Sequence, residues 1–334
     1  MRTKRILSLL LSLVIIAGLA ACGYKESEPK QKPAAEIWGA DSSATVSGET
    51  SDITPLLYKV TDSYGNVAYL FGSIHVGYDK MYPLPDYVIN AYEQSDVLAV
   101  ECDIVAYEED PSDDMEFIYS FLYTDGTTIS DHIDRNTYKA AVRILEQNDS
   151  YNTFMDYYTP YLWADLINSF MTQDSRYTYE YGIDRHFIHE AYDDNKTIDE
   201  IESVEFQQQM MINFSPDLQE MLLQSAVEDY NSGYHERQIR ELVNTWCSGN
   251  ENELIKFAET DVDDAALSER EKQLLQEYNN AVLVERNLSM TDYAEAVLAS
   301  GDTVFICVGS AHVVGDGGMT GLLRSCGYTV EAVN

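Results

Sequence analysis

Short apolar runs and longer stretches with helical spacing follow one another along this chain in an order that predicts its fold. Leu56–Thr61 and Val67–Ile74 read as strands, and the turn residues Asp62-Ser63-Tyr64-Gly65-Asn66 between them predict a β-hairpin. A loop containing Pro83 and Pro85 leads to Asp86–Gln94, where Tyr87, Val88, Ala91 and Tyr92 recur at helical spacing. Val97–Val100 is a short buried strand running into Glu101-Cys102-Asp103. Strand, helix, strand in that order predicts a parallel pair and an α/β fold.

From 104 to 296 the pattern is mainly helical. Glu108–Asp114 reads as an exposed turn and helix start, and Thr137–Gln147 and Pro160–Met171 as amphipathic helices. Gly182-Ile183-Asp184 opens a helix over Arg185–Tyr192, and Lys196–Ile201 is a short strand ending at Glu202. Helices are then expected over Phe206–Ile212, Leu218–Tyr230, His235–Cys247, Asn252–Thr260 and Leu274–Ala299. The many tyrosines here predict either a core of polar-tipped rings or an aromatic-lined groove. The pattern then returns to a strand over Thr303–Val308, a Gly-rich loop over His312–Gly318, a helix over Met319–Cys326 and a strand over Tyr328–Val333. The expected architecture is one α/β domain over 55–334, its central sheet built from both ends of the chain and a large helical insertion between.

The first residues do not belong to that domain. Met1-Arg2-Thr3-Lys4-Arg5 is basic, Ile6–Ala17 is an apolar run too short to span a membrane comfortably, and small residues precede Cys22. That pattern predicts an export signal over 1–21. Leu19-Ala20-Ala21-Cys22 resembles the lipobox of bacterial lipoproteins, which implies acylation of Cys22 and anchoring at the outer face of the cell membrane. Residues 22–54, polar and without apolar periodicity, read as a flexible tether.

Charge narrows the partners. The formal net charge is −36, and signal cleavage removes Arg2, Lys4 and Arg5 and leaves the remainder more acidic still. Such a surface repels phosphate backbones, which excludes nucleic acid as a partner. Cys102, Cys247, Cys307 and Cys326 have no metal-pair spacing, and a domain of this size needs no disulfides, so free thiols are expected.

The chemistry is concentrated at two strand ends. Gly72-Ser73-Ile74-His75 and Gly309-Ser310-Ala311-His312 repeat Gly-Ser-x-His after an apolar strand. In an open α/β sheet functional groups gather at carboxyl strand ends, and glycine there permits a sharp turn. Side by side, the two strands would bring His75 and His312 to one site, with Glu101 from a third strand beside them. Two imidazoles and a carboxylate form a usual ligand set for a catalytic metal with open positions. The other histidines are expected elsewhere: His186 and His189 on a helix surface, His132 and His235 in solvent. Ser73 and Ser310 lie outside Gly-x-Ser-x-Gly and read as turn-makers.

These segments resemble the TraB/GumN family, which includes the Tiki metalloproteases. The resemblance runs in order through Tyr69–Gly77, Ser95–Glu101, Gly182-Ile183-Asp184, Lys196, Ile201-Glu202, Gln207, Glu285-Arg286-Asn287 and Val308–Val313 to Gly327-Tyr328. It implies an α/β core with a helical insertion and, in Tiki members, a peptidase needing manganese or cobalt; zinc is also compatible with such ligands. Carried over, His75 and His312 would be metal ligands, and Glu101 a third ligand or the general base. Arg286 would stabilise an oxyanion or anchor the last long helix by an ion pair. Asp184 and Glu202 would orient a ligand or serve structure. The expected function is a lipid-anchored, divalent-metal-dependent hydrolase of peptide or protein substrates. The alternatives are a lipoprotein that binds peptide without cleaving it and an esterase-like hydrolase.

Overall fold

The computed structural model describes residues 53–109, 118–173, 176–233, 235–258 and 267–333, except the side chains of 172 and 173. The expected signal over 1–21, the lipid attachment at Cys22 and the tether up to residue 52 lie outside the described residues, as does most of the acidic segment expected over Glu108–Asp114.

Six strands form one sheet: β1 (Leu57–Thr61), β2 (Val67–Ser73), β3 (Val97–Val100), β4 (Thr197–Glu200), β5 (Val304–Gly309) and β6 (Thr329–Val333). Their order is β4-β3-β5-β2-β1-β6. β4, β3, β5 and β2 pair in parallel, whereas β1 runs antiparallel to β2 and β6. The wholly apolar run of β5 reflects its central place, since both of its faces are covered and every residue is buried. β4 lies at an edge, where its Thr-Ile-Asp-Glu sequence keeps charges toward solvent. Asp62 closes the β1–β2 hairpin by accepting from the backbone N–H of Tyr64 and Asn66 at 2.8 Å each, with Gly65 at φ +92°.

Thirteen helices are described, in chain order. They are α1 (Asp86–Glu93), α2 (Ile104–Glu109), α3 (Arg135–Gln147), α4 (Pro160–Gln173), α5 (Ile183–Asp194), α6 (Val204–Ile212), α7 (Pro216–Ser232), α8 (His235–Ser248), α9 (Glu251–Ala258), α10 (Glu269–Asn279), α11 (Glu285–Ser300), α12 (Ser310–Val313) and α13 (Met319–Ser325). A π turn over Asn280–Val284 joins α10 to α11, so 269–300 form one helix with one change of period. Its start is fixed by a capping box between Ser268 and Glu271 and its end by Gly301 at φ +87°.

Three apolar clusters hold these elements together. One sheet face packs Phe71, Phe187, Trp246 and Phe305 with α1, α5 and α8. The other packs Leu70, Ile306, Met290, Ala294 and Met319 beneath α11 and α13. The third is purely helical: Trp163, Ile167, Leu218, Leu222, Tyr278 and Val282 join α3, α4, α7 and α10. The segment 104–296 is thus divided between two bodies. Residues 118–173, 204–232 and 267–282 build the helical cluster, while α5, β4, α8 and α9 belong to the sheet layers. Periodicity marks a helix but not the surface it covers, so this division was invisible in the pattern.

Smaller differences have local causes. The domain already holds the residue before the expected start at Pro55: Thr54 N–H donates to Cys247 O at 2.8 Å and Thr54 Oγ1 to Ser248 O at 3.1 Å. The loop expected from His312 begins instead as the helical turn α12. Cys102, Cys247, Cys307 and Cys326 are all free thiols. Among the described residues no helix is long and apolar enough to cross a membrane.

Candidate active site at four strand ends

Because β4, β3, β5 and β2 are adjacent and parallel, their carboxyl ends form one edge. Along it the chain delivers, in sheet order, Glu202, Glu101, His312 and His75. The pairing of β3 with β4 continues past both strands through Ile201 N–H to Val100 O and Glu202 N–H to Glu101 O, 2.9 Å each, which sets the two glutamates side by side. The two Gly-Ser-x-His segments are neighbours one residue out of register, Ser73 opposite Gly309. A Cβ on Gly72 would stand 2.8 Å from Ser310 Oγ and 3.0 Å from Ser310 Cα, so glycine lets the turn after β5 cross there. Ser310 Oγ donates to Ser73 O at 2.8 Å, and Trp246 Nε1 to Gly72 O at 2.7 Å. Both serines therefore stand in the turn architecture, as expected of them.

Glu101 is buried, and both of its oxygens are engaged. Oε1 accepts the Gly309 N–H at 2.7 Å. Oε2 accepts from Arg286 Nη2 at 2.6 Å and from Gln207 Nε2 at 3.2 Å. Arg286, 1 % exposed, also donates from Nε to Glu202 Oε1 at 2.8 Å and from Nη2 to Glu202 Oε2 at 2.8 Å. Its Nη1 reaches Val282 O, in the π turn, at 3.4 Å. The guanidinium is thus the shared counter-charge of two buried glutamates, with its donors directed at them. Burial alone would raise the Glu101 carboxyl; the Arg286 charge, followed by His312, His75 and the Gly309 N–H, outweighs it and holds the group well below the usual carboxylate range.

Each imidazole is oriented through Nδ1. His312 Nδ1 lies 2.6 Å from Asn287 Oδ1, while Asn287 Nδ2 donates to Gly317 O at 2.8 Å. The second bond fixes the amide, so its oxygen faces the ring, the ring proton sits on Nδ1 and Nε2 keeps its lone pair. That Nε2 is 3.8 Å from Glu101 Oε1. Burial, then the Arg286 charge, pushes the His312 imidazole down to about 3, so it is neutral. His75 Nδ1 stands 3.1 Å from Asp184 Oδ1, close enough for an ion pair though Oδ1 lacks the angle of a full hydrogen bond. Asp184 reaches it because α5 starts against the His75 backbone: Ile183 N–H donates to Ile74 O at 3.0 Å, and a Cβ on Gly182 would meet His75 O at 2.7 Å. His75 acts electrostatically on both Glu101 and His312, which puts the three in one neighbourhood.

Among the described residues, no group of three or more His, Cys, Asp or Glu side chains is already placed to hold a metal ion. The donor chemistry nevertheless fits a divalent cation. An imidazole held through Nδ1 presents Nε2, the arrangement in which histidine binds metals. Two donors on one tetrahedral ion lie about 3.4 Å apart, and the 3.8 Å between His312 Nε2 and Glu101 Oε1 exceeds that by only a few tenths of an ångström. Glu101, Glu202 and Asp184 also outnumber Arg286, so the formal charge around the site favours a cation.

Six residues singled out from the sequence, His75, Glu101, Asp184, Glu202, Arg286 and His312, therefore share this edge. His186 departs from expectation: it is buried rather than on a helix surface, its ring 4.6 Å from that of Tyr82, because α5 is covered on that side. His132 is exposed, stacked on Tyr123 at 4.1 Å. Gln207 and Asn287 had no role assigned from sequence. Asn287 adjoins Arg286, and adjacent helical residues point about 100° apart, so one helix serves β3 and β4 through one and β5 through the other.

Residues 56–332 match the model of the TraB/PrgY/gumN family. The chain belongs to that family. No curated protein and no solved structure matches it. In this TraB/PrgY/gumN protein the matched span contains every site residue named above and all six strands, the last short by one residue.

Proposed function

We propose that this TraB/PrgY/gumN protein is a divalent-metal-dependent hydrolase, with peptides as its substrate class, held at the outer face of the cell membrane by a lipid on Cys22. The observation that carries the enzymatic part is the row Glu202, Glu101, His312 and His75 on adjacent strand ends, with both imidazole Nδ1 atoms engaged by Asn287 and Asp184. His75, His312 and Glu101 would hold manganese, cobalt or zinc; once bound, the ion acidifies a water and polarises a carbonyl. Glu101 supplies an anionic oxygen whose ionisation Arg286 secures, and this suits it to ligation better than to proton uptake, which needs a pKa near the working pH. Arg286 supports Glu101 rather than the reacting atoms. Asn287 and Asp184 hold the rings in the required tautomer and orientation.

A second reading rests on the same Asp184–His75 pair. A carboxylate behind an imidazole also supports metal-free acid–base hydrolysis of an ester or lactone. The test incubates the purified full chain with a peptide mixture and a p-nitrophenyl ester panel, with EDTA or added Mn²⁺, Co²⁺ or Zn²⁺. Metal-restored peptide cleavage that His75→Ala and His312→Ala abolish, with loss of metal uptake by elemental analysis, is expected. Ester cleavage insensitive to EDTA would favour the second reading. Peptide binding without turnover under every metal would make the protein a sequestering lipoprotein.

A further inference from the structure

Gln207 is 1 % exposed, on α6, where the helical body meets the strand ends. Its two amide protons are directed at two carboxylates: Nε2 donates to Glu101 Oε2 at 3.2 Å and to Glu202 Oε2 at 3.0 Å. The amide cannot be turned over, because its carbonyl would then face two anionic acceptors. Oε1 must therefore point away from the glutamates, and there, among the described residues, it has no hydrogen-bond partner. An unsatisfied buried acceptor destabilises a fold. A helix so closely tied to the site would not retain a bare one unless a donor arrives.

We propose that Gln207 is a positioning residue whose Oε1 accepts a hydrogen bond from the hydrolytic water, an inference that rests on the hydrolase reading above. Water suits the place better than a substrate amide. Oε1 is buried, which favours a donor as small as water, and a water with one O–H on Gln207 keeps its lone pairs free for attack. Gln207 gains and loses no proton in this role. Its amide links the Glu101–Arg286–Glu202 group to the attacking oxygen, so the group that fixes the glutamates also fixes the direction of attack.

The two ends of the amide can be separated. Gln207→Lys keeps donors for Glu101 and Glu202 but presents no acceptor, whereas Gln207→Leu removes both. Crystals of the wild-type full chain are expected to show one water within hydrogen-bond distance of Oε1, and those of Gln207→Lys to lack it. On a quenched fluorescent peptide mixture with added Mn²⁺, Gln207→Lys is expected to lose about 10- to 100-fold in kcat, as a misplaced reactant does. KM should stay within twofold and the melting temperature at the wild-type value, with kcat read at saturating Mn²⁺ because the added ammonium beside Glu101 opposes a cation. A merely structural glutamine would move stability rather than split kcat from KM. A water at Oε1 in the wild type with unchanged kcat in Gln207→Lys would make it an internal structural water only and overturn the proposal. If the wild type itself cleaves no peptide or ester under any metal, the hydrolase reading fails and this role falls with it; an active wild type beside an equally active Gln207→Lys overturns this role alone.

Discussion

Replacing Arg286 by methionine removes the cation that bridges Glu101 and Glu202. In the folded protein Arg286 Nη2 is 2.6 Å from Glu101 Oε2 and 2.8 Å from Glu202 Oε2, and the guanidinium is 1 % exposed, so little water is available to replace it. Removing one partner of such a buried group costs about 3–5 kcal/mol, chiefly because uncompensated charge remains in the interior. The pH dependence distinguishes this from simple loss of packing. In the wild type the Glu101 pKa is depressed, so its contribution to stability is present above the unfolded value of about 4.3 and lost as pH falls toward the lower folded value. In Arg286→Met the burial of Glu101 is no longer offset and its folded pKa should rise above 4.3, so stability declines as pH rises, by up to about 1.4 kcal/mol per unit. The gap between variant and wild type should therefore widen from pH 5 to pH 8. Urea unfolding followed by tryptophan fluorescence measures it in both bodies, since Trp163 lies in the helical cluster and Trp246 against the sheet. Adding Glu101→Gln and Glu202→Gln to Arg286→Met should recover most of the loss and flatten the pH profile. A gap below about 1 kcal/mol that is equal at both pH values would refute the reasoning, since it is the size expected of a solvated pair.

Asn287→Ala frees His312 Nδ1 and is expected to weaken Mn²⁺ binding by about 10- to 100-fold, the usual cost of losing a ligand's orienting partner; calorimetric titration reads it, and unchanged affinity would remove Asn287 from the metal reading. Burial pushes the half-buried Asp165 carboxyl up to about 7, so the folded chain holds a proton between pH 4 and 7 that the unfolded chain has released, and stability falls as pH rises through that window. Asp165→Asn should remove that slope and stabilise the protein at pH 8 by about 1–2 kcal/mol, allowing for the water that reaches the group; parallel urea-denaturation profiles for the two proteins would contradict it. Deleting Leu283 from the π turn should leave a regular α-helix with both halves still facing their cores and a near-normal melting temperature, whereas inserting an alanine after Val284 should turn Arg286 about 100° from the glutamates and reproduce the Arg286→Met loss. Equal melting temperatures for these two variants would contradict the assignment of the turn.

The sheet was legible because its signals are local. The apolar run of β5, the hairpin turn at Asp62–Asn66 and the order strand–helix–strand around α1 each follow from adjacent residues, and the repeated Gly-Ser-x-His identified two neighbouring strand ends. What could not be read depends on contacts across the chain. That β5 lies between β2 and β3, placing His312 between His75 and Glu101, is a matter of topology rather than of either motif. His186 has the same spacing from His189 whether its helix face is covered or open, and Tyr82 covers it. Gln207 and Asn287 are ordinary polar helix residues until the Glu101 carboxylate and the His312 imidazole are brought to them from 106 and 25 positions away.

The helix over 269–300 makes the same point about energetics. Leu274, Tyr278 and Val282 belong to the helical cluster, and Met290, Ala294 and Leu298 to the sheet cluster. These residues, with Arg286 between the two sets, recur every fourth position. In an uninterrupted α-helix such a series drifts by about 40° per step and soon leaves any one face. The wider π turn at Asn280–Val284 turns the series back, so that Arg286 emerges still aimed inward, one turn beyond Val282, whose carbonyl it also meets. π turns are uncommon and gather at functional sites. Here the reason is mechanical: with its inward residues spaced at every fourth position, one helix can serve two cores and set a buried cation between two glutamates at their junction only if its period changes once.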